Sequence, residues 1–431
     1  MAFDIMKVVI EMKRRDNVTT YVRFRGDRSF KEDPFNEIDA LIFTLLCYFD
    51  FNGIVPYDDK EVSIVDAYNA ILALETDNET YEKKHIRKHD EEVDIFTMEE
   101  GNKPHKHRSL KAHERELLGE AARSKRFGDV MLSHFCDELD PTLTEQFSAV
   151  HFRFTKHDTF IAFRGTDDTL VGWKENFMML YKEHVAGQVR AVSYLNETIP
   201  CDLKHIFDHY YIGGHSKGGN LAMYGCFYCQ EEVIKKVKAL YSFDGPGFSQ
   251  PFEDMPRYHE IKDRMMTFTP KFSAIGLCMD HYRKDYTVDS FYEGMNQHDG
   301  YSWIVNGKHF LLATRDKESV KVEKDFKDWV HSMDTEEKEK FVNAFFQLLE
   351  KAGCNSASDF LDINVGTLVN ILKTMVTIPA EERDQILKVA LAIWTGDRKI
   401  KVPDVAALTE NLKEKIPFDK VRHVFKELPG K

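Results

Sequence analysis

Tyr211-Ile-Gly-Gly-His-Ser-Lys-Gly-Gly-Asn220 is the stretch whose reading decides the fold of this chain. It contains Gly214-x-Ser216-x-Gly218, with an apolar run before the serine and Leu221-Ala-Met-Tyr-Gly225 after it. That order reads as strand, sharp turn, helix: a nucleophile elbow. Such a turn forces the serine into a strained backbone conformation, and a side chain at either flanking glycine would strike the adjoining strand or helix. The hydroxyl then stands exposed at a helix N-terminus, where backbone N–H groups can stabilise a developing oxyanion.

Working outward, residues Phe147–Phe154 and Thr159–Phe163 alternate about a polar turn at Lys156-His-Asp158 and predict a hairpin. Downstream the pattern predicts strand 209–213, helix 218–236, strand 238–243, a helix around 253–264, and strands 265–269 and 285–289. Strands alternating with helices imply an α/β fold, a mainly parallel sheet covered by helices on both faces. Ligands of such sheets bind beyond the carboxyl ends of the strands, where Ser216 would sit.

Upstream, residues 35–55 carry apolar residues at helical spacing, and 62–75 predict a shorter helix. Between 77 and 126 lie 12 acidic and 12 basic residues with His85, His89, His105, His107 and His113. This charged window reads as a solvated helical excursion, with a lid or rim over the site as its functional alternative. Its histidines fit no compact metal-ligand set, so no metal is expected. Beyond Arg315 helix follows helix: one after Asp334, one beginning near Pro379, and one over about 404–428. The expected division is therefore a hydrolase-type unit over 1–314 and an all-helical C-terminal extension over 315–431, for packing or partner contact.

Composition narrows the function classes. With 42% hydrophobic residues in 431, a sizeable core is expected and global disorder is not. The net charge of −13 argues against nucleic acid as a partner. The N-terminus lacks a basic n-region and a long apolar run, so no secretory signal is expected. No uncharged run approaches the length of a transmembrane helix. Seven scattered cysteines do not form a disulfide framework, which favours the cytoplasm. Cys226-x-x-Cys229 has no second pair to complete a zinc site and reads as two small residues on a packed helix.

An elbow serine needs a base, an orienting acid and an oxyanion hole. The N–H of Lys217, next after the serine, is one expected oxyanion donor. The second is expected from Thr166 in Phe163-Arg-Gly-Thr166, which ends a strand and is followed by a loop carrying Asp167, Asp168 and Trp173. Trp173 is expected to pack under that strand. The Lys217 side chain reads as solvated, with attraction of an anionic head group as the alternative.

Phe163-Arg-Gly-Thr166, the Trp173 loop and Gly214-His-Ser-x-Gly-Gly-Asn220 together resemble the lipase class 3-like α/β-hydrolases. Phe35-Asn-Glu-Ile-Asp-Ala-Leu41, Gly172-Trp-Lys-Glu-Asn176, Phe243-Asp-Gly-Pro-Gly-Phe248 and Gln297-His-Asp299 are similar to the Mbeg1-like branch of that superfamily. The resemblance covers about 20–310 and implies a serine-hydrolase fold without a substrate. In that fold the base follows the last core strand, in the order Ser, Asp, His. His298 lies on a glycine-flanked loop there and matches the branch's Gln-His-Asp. His281 comes too early, and His309 sits in an apolar run that reads as strand.

Class 3 lipases carry the acid after the next-to-last strand, but here Thr267–Ser273 offers no carboxylate. Asp244, directly after strand 238–243, is the preferred acid and resembles the pancreatic-type placement one strand earlier. Capping a turn is its structural alternative, and Asp280 and Asp289 are alternate acids. The expected activity is cleavage of a small-molecule or lipid acyl ester through Ser216, His298 and Asp244, with no cofactor. The rival reading is an inactive scaffold used for binding or regulation. A membrane-surface lipase would further need an apolar rim, and 178–181 and 275–279 are candidate rim or core segments.

Overall fold

The computed structural model describes residues 16–86, 111–273, 275–276, 279–281, 285–351, 354 and 356. The elements run α1 (Val18–Arg25), α2 (Glu37–Leu46), β1 (Val62–Ser63), α3 (Ile64–Ile86), α4 (Ala112–Arg123), β2 (Met131–Asp140), β3 (Glu145–Arg153), β4 (Asp158–Phe163), α5 (Leu170–Met178) and α6 (Ala186–Thr198). There follow β5 (His209–His215), α7 (Lys217–Tyr228), α8 (Glu231–Lys236), β6 (Val237–Phe243), α9 (Tyr258–Ile261), β7 (Met265–Pro270) and β8 (Asp285–Val288). The described chain closes with β9 (Val305–Asn306), β10 (His309–Phe310), α10 (Lys317–His331) and α11 (Thr335–Lys351).

The first eight strands form one sheet in chain order. β1 to β4 pair antiparallel, and β4 to β8 pair parallel. Strands added in sequence order send right-handed crossovers to a single face. That face is covered by α6, α7, α8 and α9, packed on Ile161, Phe163, Ile212 and Leu240. The opposite face would be bare without the N-terminal helices: α1 to α4 bury Leu41, Phe43, Leu117 and Leu118 against Phe152, Phe160, Ala162 and Tyr241. Neighbours along β4 thus point to opposite cores, as strand geometry requires. The architecture is α/β-hydrolase-like, as expected.

Several local readings change. β2 is not legible by alternation, because the register shifts between Ser133 and Cys136 and His134 takes φ +54°. The helix expected over 35–55 stops at Leu46, although Asn36 and Asp39 start it with a capping box. The expected helix 218–236 breaks at Cys229, and 253–264 divides into the short α9 with 3₁₀ turns at Phe252–Asp254 and Lys262–Arg264 on either side. Within the charged window, α3 and α4 are helical, and 87–110 lies outside the described residues. α4 belongs to the core, and Arg126 is fully buried rather than solvated, pairing with Asp39 at 2.6 Å. His113 stacks edge-on to Tyr301 with ring centroids 4.6 Å apart, while the side chains of the other four histidines lie outside the description.

α10 and α11 open the expected C-terminal extension; the helices expected near 379 and over 404–428 lie outside the described residues. α11 packs Phe345 and Phe346 around Phe177 of α5, and Trp173 joins this cluster instead of lying under the oxyanion strand. Met178, Met179 and Leu180 are buried and form no rim. Of 275–279, residues 277 and 278 lie outside the described set. No helix among the described residues is long and apolar enough to cross a membrane.

Candidate active site

Ser216 stands between β5 and α7 at the carboxyl edge of the sheet, with φ +57° and ψ −133°. A non-glycine residue in that region is strained and persists only where the surroundings enforce it. They do so here through contact: a Cβ on Gly214 would lie 2.2 Å from the Gly218 carbonyl carbon, and one on Gly218 would lie 2.1 Å from the Phe163 oxygen. β5, the elbow and the end of β4 therefore meet backbone to backbone. The Ser216 N–H donates to the Phe243 carbonyl at 2.9 Å, tying the turn to β6.

Asp244 follows β6 directly, is 1% exposed and has φ +49°. Its Oδ2 accepts from His298 Nδ1 at 2.6 Å, and its Oδ1 accepts from the Ser273 hydroxyl at 2.5 Å. A neutral imidazole protonated at Nδ1 carries its lone pair on Nε2, the state a general base needs. His298 ends a 3₁₀ turn, and its neighbour Gln297 is gripped twice: its side chain accepts from the Phe272 N–H at 3.1 Å, and its carbonyl from Trp303 Nε1 at 2.8 Å. Among the described residues the Ser216 hydroxyl makes no hydrogen bond to His298. Instead His215, one residue before the serine, meets the His298 backbone, with ring centroids 4.6 Å apart.

That contact fixes a tautomer. The His298 carbonyl can only accept, so His215 Nε2 carries the proton that bridges 2.7 Å to it, and Nδ1 accepts from the Tyr48 hydroxyl at 3.1 Å. Burial, and then the neighbouring His298, push His215 down to about 3. Its folded value is depressed, so its stabilising contribution is present above the ordinary histidine range and is lost as the pH falls toward about 3. By about pH 4.5 this is worth roughly 2 to 3 kcal/mol. His215→Gln, which keeps a donor and an acceptor, is expected to flatten the fall in urea-unfolding stability between neutral and acid pH. The equally buried His151 retains part of the slope. A fall as steep as in the unmodified chain would remove His215 as its source.

On the oxyanion side, Thr166 Oγ1 accepts from Asn176 Nδ2 at 2.6 Å, which leaves its own O–H proton free to donate. The N–H of Lys217 is the first of α7 and has no partner among the described residues, as first-turn amides do not. The Lys217 side chain differs from the sequence reading. It is neither solvated nor turned to an anionic ligand: Nζ is fully buried, 2.6 Å from Glu175 Oε2 and 2.6 Å from the Gln146 carbonyl. Glu175 also accepts from the Gly187 N–H at 2.6 Å and from the Gln146 N–H at 3.2 Å. Burial holds the Lys217 ammonium below its ordinary value, against the opposing pull of Glu175.

Glu175, Asn176 and His215 were not read as site residues from the sequence, although all three fall inside motifs quoted for the resemblance. Asn220 of the same elbow motif donates to the Pro246 and Gly247 carbonyls at 3.2 and 2.7 Å, holding the loop that carries Asp244.

The alternate acids point elsewhere. Asp280 Oδ2 accepts from the Phe252 N–H at 2.8 Å, and Asp289 pairs with Lys271 at 2.6 Å. His281 faces the Met279 carbonyl and Glu323, and His309 pairs with Glu37 at 2.6 Å. Cys226 and Cys229 are buried and unbridged, with both thiols pushed up by burial. No group of three His, Cys, Asp or Glu side chains able to hold a metal occurs among the described residues.

Among curated proteins nothing matches this chain. Among solved structures it is similar to M37 lipase, at 11% identity and a TM-score of 0.28 over 52% of this chain and 73% of that one, a superposition too loose to bear on the site. The family model for Mbeg1-like proteins matches residues 121–347, which takes in the elbow, Asp244, His298 and the start of the C-terminal helices. With more than half of its residues inside that match, the chain belongs to the Mbeg1-like family.

Proposed function

We propose that this chain is a serine hydrolase that cleaves carboxylic esters, with a small-molecule or lipid acyl ester as substrate. His298 takes the Ser216 proton as the oxygen attacks the ester carbonyl, and the N–H groups of Thr166 and Lys217 hold the resulting oxyanion. His298 then protonates the departing alcohol and activates water, which releases the acid and restores the serine. Asp244 keeps the imidazole in its Nδ1–H form and stabilises the cation that forms in each half-reaction. The chemistry is complete without a cofactor.

One observation carries this reading: a buried carboxylate 2.6 Å from the imidazole of His298, whose backbone is bonded by His215, the residue next to an elbow serine at φ +57°. The Ser216 hydroxyl makes no hydrogen bond to His298 among the described residues, and such catalytic hydrogen bonds often tighten only once substrate is bound. The test is turnover of short p-nitrophenyl esters together with labelling by a fluorophosphonate, the labelled peptide being identified by mass. Turnover with label on Ser216 is the expected result. A folded chain that neither reacts nor hydrolyses would favour the scaffold reading, and label on another residue would displace Ser216 as nucleophile.

A further inference from the structure

Asp244 uses one carboxylate oxygen on His298 and the other on Ser273, so the aim of the carboxylate depends on where Ser273 is held. Ser273 lies on the strap that follows β7, and this strap is stitched to the start of α10 at two points. The Asp316 N–H donates to the Lys271 carbonyl at 3.0 Å. Ser319 then closes both backbone groups of Ser273 with a single hydroxyl: it accepts from the Ser273 N–H at 3.1 Å and donates to the Ser273 carbonyl at 3.0 Å. Ser273 and Ser319 are 1% and 0% exposed, so water cannot substitute for either bond. A hydroxyl has one proton to give, and Ser319 spends it on this clamp. The Ser273 hydroxyl, steadied also by the Gly276 N–H at 3.0 Å, is left to donate to Asp244. The same strap holds the base loop, through the Phe272 N–H on Gln297 at 3.1 Å.

We propose that Ser319 is a positioning residue for the acid–base pair: from α10 it fixes the strap whose Ser273 hydroxyl holds Asp244 toward His298. The proposal rests on Asp244 and His298 being that pair in the hydrolase described above. It makes the opening of the C-terminal extension part of the site's scaffold. The other side is held in the same way, where α11 grips Phe177 next to Asn176 and Ser356 bridges Thr169 in the oxyanion loop.

The experiment is a double-mutant cycle on Ser273→Ala and Ser319→Ala, read by ester turnover and by the far-downfield proton resonance of the His298–Asp244 hydrogen bond. Ser319→Ala is expected to lower kcat by at least about 10-fold with little change in KM, because misplacing a catalytic group acts on the transition state. It should also shift or broaden the resonance. The double variant should be no worse than Ser273→Ala alone, since one residue acts through the other. An unchanged resonance and kcat in Ser319→Ala, or losses that simply multiply in the double variant, would overturn the proposal. If Ser319→Ala does not fold, Ser319→Cys keeps the volume close while weakening both bonds and takes its place. If the unmodified chain has no esterase activity but shows the resonance, the hydrolase reading fails, and the resonance alone still decides whether Ser319 positions Asp244.

Discussion

Ser216→Ala is expected to erase fluorophosphonate labelling and to lower ester kcat/KM on the order of 10⁴- to 10⁶-fold, which is about 5 to 8 kcal/mol of transition-state stabilisation. The loss is this large because the remaining groups act only through the bond that Ser216 forms. His298 has no proton to take, and the oxyanion donors have no tetrahedral centre to hold. The residual activity would reflect binding and oxyanion contacts alone. The fold should survive, since the elbow is held by backbone approach at Gly214 and Gly218 and by the Ser216 N–H on Phe243, none of which involves the hydroxyl. Alanine meets the same strain as serine at φ +57°, so urea unfolding should change little. Undiminished labelling of this folded variant would remove Ser216 from the mechanism.

Glu175→Gln is expected to cost about 3 to 5 kcal/mol of stability, a large part of what holds a typical domain together. Both partners of the Lys217–Glu175 pair are fully buried, so no solvent screens the ammonium left behind. An amide can still accept from the Gly187 N–H, but it cannot balance the charge. The sign of the pH dependence follows. Burial already lowers Lys217, and losing the carboxylate that opposes this lowers it further. The unfolded chain then binds a proton that the folded chain sheds, so the variant should recover stability as pH rises toward the ordinary lysine range. Glu175→Gln combined with Lys217→Met, which removes the stranded charge while keeping an acceptor for Gly187, should restore most of the loss. Denaturant unfolding of the three variants is the measurement. A Glu175→Gln variant as stable as the parent would mean that the pair is not buried as described.

This pair also marks a limit of reading the chain as a string. Read from the sequence, Lys217 is a solvated side chain, as most lysines are, and nothing in its neighbours contradicts that. Its partner lies 42 positions away, on a helix whose own sequence says only that it is short. The clamp by Ser319 on Ser273 spans 46 positions, and neither serine stands in a motif. By contrast, the contact of Asp244 with His298 could be anticipated, because Asp244 directly follows β6 and His298 lies on the loop after β8, strands whose order along the chain is also their order in space. The strand β2 escaped notice for a local reason: its bulge breaks the period of two on which strand recognition depends.

What the amino-acid order determined alone is therefore local: a strand, a bend only glycines can flank, and a helix with a hydroxyl at its start. Those features follow from the dihedral limits of a few consecutive residues, and no distant contact is needed to state them. Which charges lie in the dark beneath that bend, which serine braces the carboxylate, and which helices cover the second face of the sheet were settled only by tertiary packing. The reason is that the cost of burying a polar group, and the partner that offsets it, belong to the space around a side chain and not to its position in the chain.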